Sequence, residues 1–412
     1  MQKTVLRNYA KLLARTGLNV QEGQHVVITA ELDQADFVEM TAEECYRAGA
    51  AKVRVEWTHQ PLSRLHADFR SEAVMSEVLP WQEQKLRDEV RLLPARLYIE
   101  SEDPDGMNGI DAEKYARAMQ ARSKIVKPYR DKMENRYQWC IAAVPGRKWA
   151  KKIFPKLGAA AAEEKLWRAI LTASRSLEGN PTANWNQHNE ELAARCEYLN
   201  SMKLTALEYS ASNGTSLRVG LMEDGIFMGG GEKTLQGVYF NPNIPSEEVF
   251  TTPLRGAAEG IVYSTKPLSY QGQLIRNFAV RFEGGKVVEV HAAQGEAVLK
   301  KMLAMDEGAA YLGECALVPY HSPISDTRIL FYNTLFDENA ACHLAFGRGF
   351  SNCLNGYENY SENEIKEHGV NDSIIHVDFM IGNEDMNIDG VTRDGGRVPI
   401  FREGDWAFSV NR

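Results

Sequence analysis

The chain has 412 residues, and its 47 Lys and Arg against 56 Asp and Glu leave a net charge of −9 at pH 7. That length accommodates two domains, each large enough to bury a core. The acidic balance argues against nucleic acid or an anionic membrane as partner and favours small-molecule or peptide substrates.

The opening stretch, Met1 to Arg15, places Val5, Tyr9, Leu12 and Leu13 on one stripe with charged residues between them. This predicts a surface helix, not a signal peptide. No apolar run reaches the ~20 residues that span a bilayer, so a cytoplasmic location is expected. A strand over 25–29, a helix over 34–49 and strands over 53–57, 97–99 and 139–144 follow, then helices over 149–154, 163–174 and 184–200. Such alternation predicts an N-terminal α/β domain, 1–200, with a largely parallel sheet. From 201 the texture changes to short strands broken by glycine, at 216–221, 260–264, 278–282 and 287–291, with a helix over 295–305. The expected second domain, 201–412, is therefore mixed α+β with an antiparallel, barrel-like sheet. Gly229-Gly230-Gly231 lacks the Gly-Lys-Ser/Thr of a phosphate loop and reads as a turn. Neither Gly-x-Ser-x-Gly nor His-Glu-x-x-His occurs, which weakens serine-hydrolase and single-zinc protease readings. Cys45, Cys140, Cys196, Cys315, Cys342 and Cys353 show no Cys-x-x-Cys spacing and fit reduced core thiols.

Chemistry concentrates in the last third. His376 and Asp378 alternate with apolar residues over 374–380, so on a strand both point to one face. Glu314 leads into Cys315-Ala316-Leu317-Val318, where a carboxylate is costly to bury without a cation. Glu248 follows Glu247, and on an extended segment only one of the two reaches a given site. His343 is expected on a short helix over 337–346 closed by Gly347. Each residue alone has a plain reading: an exposed strand face, a solvated acidic pair, a core histidine. As a set, two imidazoles and three carboxylates suit zinc, cobalt or manganese, which accept both nitrogen and oxygen donors. Metal-assisted hydrolysis is the chemistry this set points to.

The same segments carry a resemblance. Asn243-Ile-Pro-Ser-Glu-Glu-Val-Phe-Thr-Thr-Pro, Ser264-Thr-Lys-Pro-Leu-Ser-Tyr, Leu312-Gly-Glu-Cys-Ala-Leu-Val-Pro, Asn333-Thr-Leu-Phe-Asp-Glu-Asn-Ala and His376-Val-Asp-Phe-Met-Ile-Gly resemble the aminopeptidase T / aminopeptidase S / PepS family of metallo-aminopeptidases. Gly17-Leu-Asn-Val-Gln-Glu-Gly and Asp103-Pro-Asp-Gly-Met-Asn-Gly-Ile-Asp extend the likeness over the whole chain. The resemblance implies a cytoplasmic homodimer acting on peptides. It implies two divalent ions, zinc, cobalt, manganese or magnesium, held by Glu248, Glu314, His343, His376 and Asp378. Glu314 is then the bridging, catalytically essential ligand, and Glu248 is chosen over Glu247. Glu247 remains a candidate for binding the substrate's free amino group. One departure concerns the family tyrosine that follows the ligand histidine, because this chain has Phe350 there. A phenyl ring donates no hydrogen bond to an oxyanion. Tyr357, Tyr360 and His321 are the possible substitutes. Two other readings share the metal site: a mononuclear-iron ring-cleaving dioxygenase on a related fold, and a metal-bound peptide-binding protein of weak activity.

Overall fold

The computed structural model describes residues 1–270 and 273–410. It contains two compact units, Met1–Gln187 with Gly231–Pro245, and His188–Gly230 with Ser246–Arg412. The expected division at 200/201 falls in the last turn of a continuous helix, Pro181–Ser201. Residues 231–245 return to the first unit, which no local pattern announces.

In the first unit, five strands form a wholly parallel sheet in the order Asn243–Ile244, Trp139–Ala143, Ala95–Glu100, His25–Glu31, Lys52–Thr58. The strands His25–Glu31 and Trp139–Ala143 are largely apolar because helices cover parallel sheets, whereas Ala95–Glu100 alternates buried with half-buried residues. Val26, Val27, Ile28, Leu97, Ile99 and Cys140 are all buried. The opening helix, Lys3–Leu12, buries Tyr9 and Leu12, and the Tyr9 hydroxyl donates to the Ala143 carbonyl at 3.2 Å. Helices Gln60–Phe69, Pro80–Leu92 and Ala112–Asp131 have no counterpart in the sequence-based reading, since charged and exposed positions dilute their apolar stripes.

The second unit has two larger antiparallel sheets. One runs in the order Leu268–Tyr270, Gln273–Glu283, Pro253–Tyr263, Ser216–Leu221, Ala206–Ser210, Asn387–Val391, Arg397–Arg402, Asp405–Trp406, with Lys286–Gln294 also paired to Gln273–Glu283. The other has five strands, ordered His376–Met380, His343–Gly347, Leu312–Leu317, Val249–Thr251, Met228–Gly229. Because side chains alternate along a strand and directly paired residues share a face, the register sorts this second sheet into two surfaces. One surface presents Val249, Cys315, Leu317, Leu344, Phe346 and Phe379 to the main core of the unit. The opposite surface carries the candidate ligands.

That assignment corrects the expectation for His343. The helix is only Thr334–Glu338, and His343 opens a strand, His343–Gly347. Leu344 and Phe346, two apart, both enter the core, so the segment follows a period of two. The alanines at Ala340 and Ala341 disguise this in sequence. Gly347 ends the strand with φ +97°, and a Cβ there would lie 2.1 Å from the Ile375 carbonyl oxygen. Only glycine therefore lets this strand lie beside His376, its paired residue.

Candidate metal centre

The ligand-bearing surface can be read off the pairing. Glu314, Ala345 and Asp378 stand opposite one another across three strands, Gly347 stands opposite His376, and His343 opposite Ala316. Phe250 pairs with Ala316 and so joins this face. Glu248 lies two residues before Phe250, on the same side. The five side chains form two groups, Glu248–Glu314–His343 and Glu314–His376–Asp378, whose donor atoms lie within 4.8 Å of one another. Glu314 belongs to both. His376 Nε2 is 3.1 Å from Glu314 Oε2 and 3.3 Å from Asp378 Oδ1, and His343 Nε2 is 3.3 Å from Glu248 Oε2.

Both imidazoles are oriented by their outer nitrogens. His376 Nδ1 donates to the Arg348 carbonyl at 2.7 Å and His343 Nδ1 to the Ala341 carbonyl at 3.1 Å. A proton held at Nδ1 leaves Nε2 free to ligate, the arrangement metal-binding histidines use. Between the ligands, at the surface's centre, stand the small buried side chains of Ala316 and Ala345. Apart from the 3.3 Å ion pair with His376 Nε2, the buried Asp378 Oδ1 has no hydrogen-bond partner among the described residues. The donor set therefore fits divalent metal: mixed nitrogen and oxygen, crowded, and short of internal partners.

Electrostatics lead to the same conclusion. Burial raises Glu314, and the neighbouring Asp378 and Glu248 charges add to this against the opposing His376 hydrogen bond. Burial alone would lower His343, yet Glu248, Glu314 and Asp378 carry it up to about 9. His376 is likewise held well above its usual range, against burial, by Asp378 and Glu314. Burial opposes ionisation of Asp378 as well, but His376 and His343 keep it low. The metal-free cluster thus retains protons that divalent cations would displace.

Glu338 is the residue that sequence reading missed. It is 9% exposed, and burial together with the Asp378, Glu248 and Glu314 charges raises its carboxyl well above the ordinary range. Asn339 steadies it: the Asn339 amide donates to Glu338 Oε1 at 3.3 Å and to the Leu335 carbonyl at 2.9 Å. Its Oδ1 accepts the Glu247 backbone N–H at 2.8 Å. The signal was the acidic run Asp337-Glu338 five residues before His343, inside a quoted motif. Glu247 itself is buried with its carboxylate 3.8 Å from His188 Nε2.

The possible substitutes for a tyrosine at position 350 make other contacts. Tyr357 and Tyr360 pack in a small cluster with Met222, Leu354 and Val370. His321 is 69% exposed, paired with Asp326 at 3.3 Å. Phe350 does border the centre, with its ring centroid 4.8 Å from that of His376.

Comparison with known proteins finds relatives along nearly the whole chain. The profile of the thermophilic metalloprotease (M29) family matches residues 2–406. Aminopeptidase AmpS of Bacillus subtilis is 41% identical over 404 residues, 98% of each chain. The solved structure of wild-type AmpT from Thermus thermophilus superposes with a TM-score of 0.89 at 39% identity, covering 98% of this chain and all of that one. A 2,5-dihydroxypyridine dioxygenase from Pseudomonas putida shares only the fold, at TM-score 0.53 and 12% identity over 98% of this chain and 96% of that one.

Proposed function

Since the chain belongs to the thermophilic metalloprotease (M29) family and is a metal-dependent aminopeptidase, we propose that its active centre is the ligand-bearing face of the second unit. There Glu248, Glu314, His343, His376 and Asp378 would hold two divalent ions, Glu314 as the ligand common to both groups would bridge them, and the second unit is the catalytic domain. The observation that carries this reading is the pair of ligand groups sharing Glu314 on one sheet face. With Glu338, four carboxylates and two neutral imidazoles supply the −4 that balances two divalent cations. Zinc, cobalt or manganese suits the mixed donors best, and magnesium is admissible.

When bound, such ions polarise the scissile carbonyl and lower the pKa of water toward neutrality. The chain's residues supply the rest. Arg348 and Ala341 hold the imidazoles in register through their carbonyls. Glu338, buried beside the cluster and steadied by Asn339, takes the proton from the attacking water at Oε and returns it to the departing amine. Glu247 is buried with its carboxylate 3.8 Å from His188 Nε2, and we leave it as the candidate for the substrate's amino group. The dioxygenase reading rests on a shared fold alone and is set aside.

No helix among the described residues is long and apolar enough to cross a membrane, and we place the enzyme in the cytoplasm. We assign it a homodimer because the first unit exposes Leu62, Leu65 and Phe69 on one helix. Peptides are its substrates. The test is metal analysis with amino-acid release from a peptide panel, for wild type and Glu314→Gln. Two ions per chain and exopeptidase activity are expected in the wild type, with activity lost in a folded variant. Near wild-type hydrolysis by Glu314→Gln at unchanged metal content removes Glu314 from the centre.

A further inference from the structure

The ligand-bearing face continues into an apolar surface that the proposed chemistry does not use. Phe250, Ala316 and Cys353 are buried together there, and the half-buried Met228 and Phe350 pack against them, apart from the main core. Met228 pairs with Phe250, and Phe250 with Ala316, so this surface and the ligands share one side of one sheet. Phe350 is held in place by its backbone: its N–H donates to Thr252 Oγ1 at 2.8 Å, and that hydroxyl donates back to the Phe350 carbonyl at 3.3 Å. Its ring meets Phe250 edge-on, with centroids 5.4 Å apart, and lies 4.8 Å from the His376 ring. Of the ligand side chains, His376 is the most open, at 26% exposure. A peptide reaching the ligands at that open edge must therefore lie against Phe350.

We infer that Phe350 and Met228 form the wall that receives the side chain of the substrate's N-terminal residue, and that they select apolar residues such as leucine, methionine and phenylalanine. This rests on the metallo-aminopeptidase centre proposed above. A charged or amide side chain against these two surfaces loses water without gaining a hydrogen bond. An apolar side chain displaces water from thioether and phenyl surface, and methionine adapts to its shape. Discrimination of about 10-fold or more is the usual yield of such a wall.

The experiment compares aminoacyl p-nitroanilides of leucine, methionine, serine, lysine and glutamate on the metal-loaded wild type, Phe350→Ala and Met228→Ala. Metal content and calorimetric titration with free leucine and free serine accompany the kinetics. The wild type is expected to prefer leucine and methionine over serine and glutamate by at least 10-fold in kcat/KM. Each variant is expected to narrow that ratio about 10-fold, mainly through KM, with metal content unchanged and leucine binding weakened. Hydrolysis by the wild type with no apolar preference overturns this inference alone. So does a loss in both variants that is equal across all substrates, which would make the two residues merely structural. If Phe350→Ala loses metal through its contact with His376, Met228→Ala decides. Absence of hydrolysis by metal-loaded wild type overturns the centre itself, and this inference with it.

Discussion

At the scale of single residues, the centre is a problem of buried charge. Uncompensated buried carboxylates cost several kcal/mol each, so protons or cations must balance them. Without metal, His343 carries part of that balance, because Glu248, Glu314 and Asp378 outweigh burial and raise it to about 9. A group raised above its unfolded value stabilises the fold fully below that value, near 6.5, and the contribution fades as pH rises through about 9. Metal-free protein is therefore expected to lose stability between pH 7 and pH 10, seen as a falling urea midpoint. If His343 Nε2 is a ligand, it is unprotonated in the loaded protein and this loss is expected to be absent. Parallel pH profiles with and without chelator contradict the assignment of His343 as a ligand.

At the scale of the strand, one residue of displacement changes everything, since neighbours face opposite ways. His376 and Asp378 share a face with the other candidate ligands while Val377 packs toward the core. His376→Ala and Asp378→Ala are expected to lower metal stoichiometry, whereas Val377→Ala keeps both ions and costs about 1–2 kcal/mol of stability. Ala345 stands between Glu314 and Asp378 in the register, with only a methyl group on the ligand-bearing face. Ala345→Leu is expected to reduce the metal content from two ions to one by filling the space of the Glu314–His376–Asp378 group. Two ions in this variant contradict the placement.

At the scale of the molecule, the first unit carries apolar surface that a monomer leaves in water. Leu62, Leu65 and Phe69 repeat along the Gln60–Phe69 helix at a spacing that aligns them, and Phe69 is 83% exposed. In the proposed homodimer a second copy covers this stripe. Wild type is expected to sediment at twice the chain mass of 46.2 kDa, and the double variant Leu65→Glu, Phe69→Glu at the chain mass. A dimeric double variant places the interface elsewhere.

What was legible in the sequence depended on short-range periodicity and on long motifs in fixed order. The apolar run Val26-Val27-Ile28 announces a strand of a covered sheet, because a parallel strand buries both faces, and Leu97 and Ile99 announce one by alternation. His376 and Asp378 share a face because the strand repeat is two, which two residues suffice to show. The motifs around Glu248, Glu314 and His376 carried the family and hence the aminopeptidase. Tertiary structure decided the rest. Glu314 lies 62 positions from His376 and meets it only through antiparallel pairing across an intervening strand, which no local pattern encodes. His343 looks helical among alanines until the core claims Leu344 and Phe346 on alternate positions. Glu338 reads as an ordinary acidic residue on a short helix until folding buries it beside the other carboxylates. Burial and strand register are properties of the assembled sheet, and they turn scattered side chains into one buried cluster.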